Sequence, residues 1–170
     1  MVATTESETV SMNRTSMEIR SDRELVIART FNAPARIVFD AWTKPEFLKR
    51  WWAPKSHRVA LVGCEADVRV GGRYRYVLQR DGGQEFAFSG RYNEVTPSSR
   101  LVYTSVFEPM QAAGETVVTV TFDEEGETTR LTVHEVYPSK AALDGALASG
   151  MEHGMRETMD QLDALVASLR

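Results

Sequence analysis

Hydrophobic and polar residues follow no regular spacing over residues 1–20, which are rich in Ser, Thr, Met and Glu. This composition predicts a flexible N-terminal arm before one domain that occupies residues 21–170. Residues 24–31 are rich in β-branched side chains and predict the first strand.

Two short helices are predicted after this strand. Pro34 suits the first turn of a helix, and the apolar residues of 35–42 recur at helical spacing. Thr43 and Glu46 then form a capping-box pattern that opens a second helix. Pro54 ends that helix, because proline cannot continue it.

A series of short alternating segments follows the helices and predicts an antiparallel meander. Turn residues such as Gly, Pro, Asp and Ser separate the segments by only a few positions. Such short connections join antiparallel strands, because parallel neighbours need a long crossover. The predicted strands are 56–69, 72–80, 85–95, 100–108, 115–123 and 128–137.

The chain becomes helical after Pro138. Ser139 is placed to cap a short helix, and Ser149 with Glu152 forms a further capping-box pattern. A long amphipathic helix is therefore predicted over 151–169. Its apolar stripe consists of Met151, Met155, Met159, Leu162, Leu165, Val166 and Leu169.

The long helix must bury its apolar stripe, and the predicted sheet is the only large surface available. Alternation along each strand identifies the side chains that point towards the helix, while Thr132 and His134 point outward. The inward set is Tyr74, Tyr76, Leu78, Phe86, Phe88, Gly90, Tyr92, Leu101, Tyr103, Ser105, Phe107, Val118, Val120, Phe122, Leu131, Val133, Glu135 and Tyr137.

Several inward positions carry polar ends, namely the tyrosines, Ser105 and Glu135. A buried phenol needs a hydrogen-bond partner, and an unpaired buried carboxylate is costlier still. A closed core would use Leu and Ile, whereas a cavity uses amphipathic residues to orient a bound molecule. Methionines on the helix repack around varied shapes, and Gly150 and Gly154 leave room beside it.

Composition narrows the class of protein. The 170 residues are 42% hydrophobic and 26% charged, as in an ordinary soluble domain. The sequence shows neither a membrane-spanning stretch nor a secretory signal. The net charge of −4 argues against nucleic-acid binding. The single cysteine, Cys64, cannot form an internal disulfide, which favours a cytoplasmic location.

Candidate catalytic and metal-binding chemistry is sparse. Glu135 is the one catalytic candidate: it is placed to bind a ligand hydroxyl or amine, to act as a base, or to pair with a core tyrosine. His57, His134 and His153 are scattered and lack metal-ligand spacing, so no metal is predicted. The sequence contains no P-loop, dinucleotide fingerprint or GxSxG motif, and no cofactor is predicted.

Six short motifs occur in an order that resembles a known superfamily. They are RTFNAP at 29–34, VFDAWT at 38–43, RWWAP at 50–54, GGRY at 71–74, GRYNEVTP at 90–97 and GMEHGM at 150–155. Together they resemble the SRPBCC (START-like, helix-grip) superfamily. Within it, they are most similar to the branch related to the activator of heat shock protein 90 ATPase. The resemblance runs from about residue 23 to residue 168.

The resemblance implies an α+β helix-grip fold, in which a curved antiparallel sheet wraps around a long C-terminal helix and encloses a deep pocket. The superfamily includes sterol and lipid carriers, plant hormone-type binders, aromatase/cyclases and co-chaperone domains. The co-chaperone itself carries a separate N-terminal domain that contacts the chaperone, and the short arm of this chain departs from that pattern. Fold alone therefore leaves the function open.

The favoured interpretation is a cytoplasmic, non-enzymatic protein, monomer or dimer, that binds a small hydrophobic or aromatic molecule between the sheet and the C-terminal helix. The alternatives are a cyclase- or hydrolase-type enzyme using the same cavity, and a chaperone cofactor with a protein partner. Neither nucleic-acid binding nor membrane insertion is expected. The predicted ligand-binding residues are Trp51, Trp52, Tyr74, Tyr76, Phe88, Tyr92, Tyr103, Ser105, Val120, Glu135, Met151, Gly154 and Met155.

Overall fold

A computed structural model describes residues 14–170, and within them eight strands form one antiparallel sheet. The strands are β1 (Ser16–Ile19), β2 (Glu24–Phe31), β3 (Val59–Ala66), β4 (Arg73–Arg80), β5 (Glu85–Thr96), β6 (Arg100–Phe107), β7 (Thr116–Glu125) and β8 (Thr128–Val136). Their order across the sheet is β1-β2-β8-β7-β6-β5-β4-β3. The meander from β3 to β8 therefore pairs strands that are neighbours in sequence, and β2 joins it at β8.

The helices connect and cover this sheet. They are α1 (Ala35–Thr43), α2 (Pro45–Trp51), α3 (Lys140–Ala148) and α4 (Met151–Leu169). Short 3-10 turns at Lys55–His57 and Glu108–Ala113 follow α2 and β6. An open antiparallel sheet with a long C-terminal helix is the helix-grip arrangement, so the predicted α+β fold is confirmed. Among residues 14–170, none of the helices is long and apolar enough to cross a lipid bilayer.

Part of the predicted N-terminal arm has regular structure, because Ser16–Ile19 form strand β1. This strand pairs antiparallel with β2 and places Met17 opposite Ile27. A four-residue edge strand carries too little alternation to be recognised from the sequence. The rest of the predicted arm, residues 1–13, lies outside the described residues.

Two of the predicted helix ends can be compared directly. Ser139 caps α3 as predicted, since its hydroxyl oxygen accepts a 3.0 Å hydrogen bond from the Ala142 N–H. The capping box of Thr43 with Glu46 is wrong, because α2 begins after Lys44 with proline in its first position. Thr43 instead ends α1, where its hydroxyl donates within that helix.

The break between α3 and α4 falls where it was predicted, but a glycine forms it. Gly150 precedes α4 with a φ of 84°, a left-handed conformation that favours glycine. Ser149 belongs to the end of α3, where its hydroxyl donates to the Ala146 carbonyl oxygen. The predicted capping box of Ser149 with Glu152 is therefore wrong.

Strand register confirms the predicted inward face of the sheet. Val120 lies opposite Val133, and both are buried. The same register places Glu135 opposite the buried Val118, so Glu135 faces the helix. The buried stripe of α4 joins these strand residues in one core and consists of Met159, Leu162, Leu165 and Val166.

An arginine occupies one inward position of β2. Arg29 alternates with the buried Ile27 and Phe31 and is only 6% exposed. Its guanidinium donates to the carboxylate of Asp160 and lies 3.4 Å from that of Asp163. Both acids belong to α4, so this ion pair ties the C-terminal helix to the second strand.

Gly90 allows a side chain of β4 to reach across β5 to β6. It lies opposite Tyr74 in the β4–β5 pairing. The Tyr74 hydroxyl donates to the Thr104 carbonyl oxygen on β6 at 2.5 Å. A Cβ atom at position 90 would overlap that oxygen and would lie 2.9 Å from the Tyr74 ring. The crossing therefore requires glycine.

Candidate functional site

Six aromatic side chains form a continuous group on the inward side of the sheet. This aromatic cluster consists of Trp52, Tyr74, Tyr76, Phe88, Tyr92 and Tyr103. The ring centroid of Tyr74 lies 4.8 Å from that of Tyr76 and 5.5 Å from that of Tyr103. The ring centroid of Trp52 lies 5.0 Å from that of Tyr76 and 5.3 Å from that of Phe88. The fold thus brings together six of the predicted site residues from four segments of the chain.

The aromatic cluster has a buried part and an accessible part. Its buried members are Tyr74, Tyr76 and Tyr92. Its half-buried members are Trp52, Phe88 and Tyr103. Burial raises the pKa of Tyr92 to about 12 and that of Tyr103 well above its usual value. The phenols therefore stay uncharged at neutral pH and keep their ability to donate hydrogen bonds.

Glu135 faces the same side of the sheet and pairs with a phenol. The Tyr137 hydroxyl donates to a Glu135 carboxylate oxygen at 2.7 Å and lies 3.6 Å from the sulfur of Met151. Burial raises the pKa of the Glu135 carboxyl group, and the Tyr137 hydrogen bond and nearby His134 partly offset this rise. Glu135 keeps some accessible surface, so it can exchange a hydrogen bond with a further group.

Tyr137 was absent from the predicted ligand-binding set, although alternation had placed it inward. Its partnership with Glu135 could have been inferred, because i and i+2 side chains share one face of a strand. Ser105, Met151 and Met155 from the predicted set are also half-buried. Like Glu135, each of them keeps some accessible surface.

Three of the predicted ligand-binding residues are buried and add almost no accessible area to this surface. Trp51 is 2% exposed, and its indole N–H donates to the Ala41 carbonyl oxygen inside the helical layer. Val120 is completely enclosed in the core. Gly154 faces the turn after α2, where a Cβ would lie 3.5 Å from His57. Neighbouring helical residues point about 100° apart, and here Trp52 is the one that points inward.

The prediction of scattered histidines is wrong for two of them. The rings of His57 and His153 stack with centroids 5.6 Å apart, and the Glu157 carboxylate lies beside them. The missed signal is the spacing of His153 and Glu157, since i and i+4 residues lie on one face of a helix. His134 lies elsewhere, with its ring nitrogen 2.9 Å from a Glu24 carboxylate oxygen.

An open depression of about 370 Å³ shares none of its lining residues with the aromatic cluster. Its lining residues are Arg75, Val77, Glu85, Phe86, Ala87, Glu108 and Pro109. Arg75 and Glu108 form an exposed ion pair at 2.9 Å in this lining. The depression therefore has a charged, solvated character that differs from the inward surface.

The buried carboxyl group of Glu135 should make the stability difference between wild type and Glu135→Gln depend on pH. Because burial raises its pKa in the folded state, the protein favours the neutral acid and loses stability as the pH rises through the folded-state value. The stability of Glu135→Gln minus that of wild type should therefore increase from pH 4.5 to pH 8. The increase should be roughly 1 kcal/mol for each pH unit by which folding raises the Glu135 pKa. Thermal unfolding at both pH values tests this. A stability difference that stays constant with pH would contradict it. Repeating the comparison of wild type with Glu135→Gln in a His134→Gln background removes the influence of the neighbouring imidazole.

The open antiparallel sheet and the long helix across it define the helix-grip class. The chain belongs to the activator of Hsp90 ATPase homolog 1-like protein family, whose model matches residues 32–167. Family and fold support a ligand-binding or Hsp90-activator-like class of protein. None of the curated proteins matches the sequence significantly.

Several solved structures share this fold over nearly their whole length. A Rhodobacter sphaeroides protein is 25% identical, with a TM-score of 0.84 over 91% of this chain and 99% of its own. A Nitrosomonas europaea protein is 28% identical, with a TM-score of 0.78 over 88% and 97%. A Mycobacterium smegmatis protein is 27% identical, with a TM-score of 0.77 over 89% and 95%.

Proposed function

We propose that this protein binds a small hydrophobic or aromatic molecule in a cavity between the inward face of the sheet and α4. One observation carries the proposal: side chains deep in the fold keep accessible surface. Tyr103 and Glu135 combine a pKa raised by burial with partial exposure. Groups that are surrounded by protein and still reachable by solvent are the kind that the lining of a ligand cavity requires.

The chemistry of the lining indicates the class of ligand. The accessible rings of Trp52, Phe88 and Tyr103 offer apolar surface, which contributes about 25 cal/mol for each Å² removed from water. Met151 and Met155 add flexible, polarizable side chains from the helix side. An aromatic or lipid-like molecule without charge matches this lining.

Glu135 and Tyr137 would orient the ligand. Their hydrogen bond leaves a second carboxylate oxygen of Glu135 for a ligand hydroxyl or amine. Because burial raises the pKa of Glu135, its carboxyl group is suited to exchange a proton or a hydrogen bond with an uncharged polar group. The favoured ligand is therefore apolar along most of its length and carries one polar end.

Methionine-methyl NMR tests the proposal directly. Pools of lipids, phenolics and polyketide-like aromatics are titrated into protein labelled at its methionine methyl groups. We expect saturable shifts at Met151 and Met155, while the exposed Met110 on the 3-10 turn after β6 serves as an internal control. Unchanged spectra across all pools would refute the proposed cavity.

Glu135→Gln tests the role of the carboxylate once a ligand is found. The variant keeps the shape and replaces the carboxyl group by an amide that cannot exchange a proton, so a ligand with a polar end should bind about tenfold more weakly. Thr132→Ser is the matched control, because Thr132 points outward on the same strand and should leave the Kd unchanged. Equal Kd values for wild type and Glu135→Gln would remove Glu135 from the ligand-binding set.

An Hsp90-activator role is the second candidate, and the family match favours it. Its experiment is the ATPase rate of a purified Hsp90 chaperone with increasing amounts of this protein. Stimulation that survives Glu135→Gln would mean that the activation of the chaperone does not depend on the Glu135 carboxylate. An unchanged rate at saturating protein would remove this candidate.

A further inference from the structure

A second constellation lies outside the proposed cavity, between α4 and the turn that follows α2. His57 lies in the 3-10 turn, while His153 and Glu157 lie one helical turn apart on α4. One ring nitrogen from each histidine and one carboxylate oxygen of Glu157 all lie within 4.8 Å of one another. Residues from two distant segments thus present three metal-ligating atoms to one point.

Hydrogen bonds hold the carboxylate in place. The Ser56 N–H donates to one Glu157 oxygen at 2.8 Å, and the Ser56 hydroxyl donates to the other. Each oxygen retains a free lone pair, and such outer hydrogen bonds are what orient ligating carboxylates in metal sites.

A further residue of α4 fixes the backbone that carries His57. The Gln161 side chain donates to the carbonyl oxygens of Trp51 and Ala53, at 2.9 and 2.8 Å. Its oxygen accepts from the Lys55 N–H at 3.0 Å. The turn therefore has a defined position on the helix.

We propose that His57, His153 and Glu157 bind a divalent transition-metal ion of the Zn²⁺ type. Two imidazoles and one carboxylate form a ligand set that zinc uses in sites with an open position. Tetrahedral coordination at about 2.0–2.2 Å would bring the ligand atoms to about 3.4 Å from each other. The two histidines are exposed, so rotation of their side chains can supply that approach.

The bound ion would link the wall of the proposed cavity to α4. Trp52, at the end of α2, belongs to the aromatic cluster and lies five residues before His57. Joining His57 to α4 through a metal would hold this segment against the helix. The metal site itself is independent of the cavity, so each of the two proposals can fail without the other.

Calorimetric titration of the tag-free full chain with Zn²⁺ alone tests the site. We expect one ion per chain in wild type. His57→Ala and His153→Ala should each weaken binding at least about tenfold, and Ser56→Ala should weaken it less because the backbone donor remains. His134→Ala is the matched control and should bind as wild type does, since His134 lies on β8 away from the cluster.

Either of two results would overturn the proposal: Zn²⁺ fails to bind wild type, or its Kd is the same in wild type, His57→Ala and His153→Ala. Both substituted histidines are exposed, so circular dichroism should show an unchanged fold. Zn²⁺ in large excess should also raise the Tm of wild type and leave that of His57→Ala unchanged.

Discussion

Replacing Gly90 with alanine is expected to destabilise the protein by about 3 kcal/mol or more. The added methyl group would overlap the Thr104 carbonyl oxygen and crowd the Tyr74 ring. That oxygen accepts the Tyr74 hydrogen bond, and the Tyr74 ring stands between Tyr76 and Tyr103 in the aromatic cluster. Relief of the overlap would therefore move backbone and rings together.

Urea unfolding of Gly90→Ala against Gly145→Ala measures this effect. Gly145 is an exposed residue of α3 where a Cβ meets nothing within 4 Å. Alanine there should stabilise the protein by up to about 1 kcal/mol through helix propensity. The changes in the free energy of unfolding of the two variants are expected to have opposite signs. A loss below about 1 kcal/mol at position 90 would contradict the close approach of β5 and β6.

Removing both acids that face Arg29 is expected to cause the second large loss of stability. Asp160→Asn with Asp163→Asn would leave a guanidinium that is 6% exposed without a carboxylate, at a cost of about 3 kcal/mol. The Thr15 hydroxyl, 3.1 Å away, remains as a neutral acceptor and cannot balance the charge. Within residues 14–170, the Arg29 Nε atom is already buried without a hydrogen-bond partner.

Arg29→Met is the matched variant for this prediction. It keeps an unbranched apolar stem, and it leaves Asp160, 73% exposed, free to take up water. We expect its loss of stability to be less than half that of the double asparagine variant. Chemical denaturation of all three proteins at pH 7 gives the comparison. A larger loss for Arg29→Met would mean that packing of the guanidinium, and not its charge, stabilises this contact.

Much of the inward surface could be predicted because side chains alternate between the two faces of a strand, so that one assigned residue fixes the face of the others. Once Val133 and Leu131 are assigned inward, Glu135 follows, and the register confirms it. The stripe of α4 follows in the same way from a period of 3.6. The break before α4 was also located, although its cause is the positive φ of Gly150 and not a side-chain cap.

The features that sequence reasoning missed depend on contacts between distant segments. The cluster of His57 with His153 forms only because the turn after α2 packs on α4. Arg29 reads as an interruption of an apolar strand until its partners on α4 are known. Tyr74, which was predicted inward, proves to cross β5 at Gly90 to reach the neighbouring strand. The spacing of residues along the chain identifies neighbours within one helix or strand. It does not identify contacts between segments that are distant in sequence.

The contact of β2 with α4 has a consequence for synthesis on the ribosome. Arg29 and its partner Asp160 are 131 residues apart, so at about 5–20 residues per second the nascent second strand waits about 7–26 s for α4. Strands β3 to β8 can meanwhile pair with their neighbours in order. A chain that stops before α4 would leave the apolar face of β2 uncovered, so premature termination should yield a product that aggregates and is degraded.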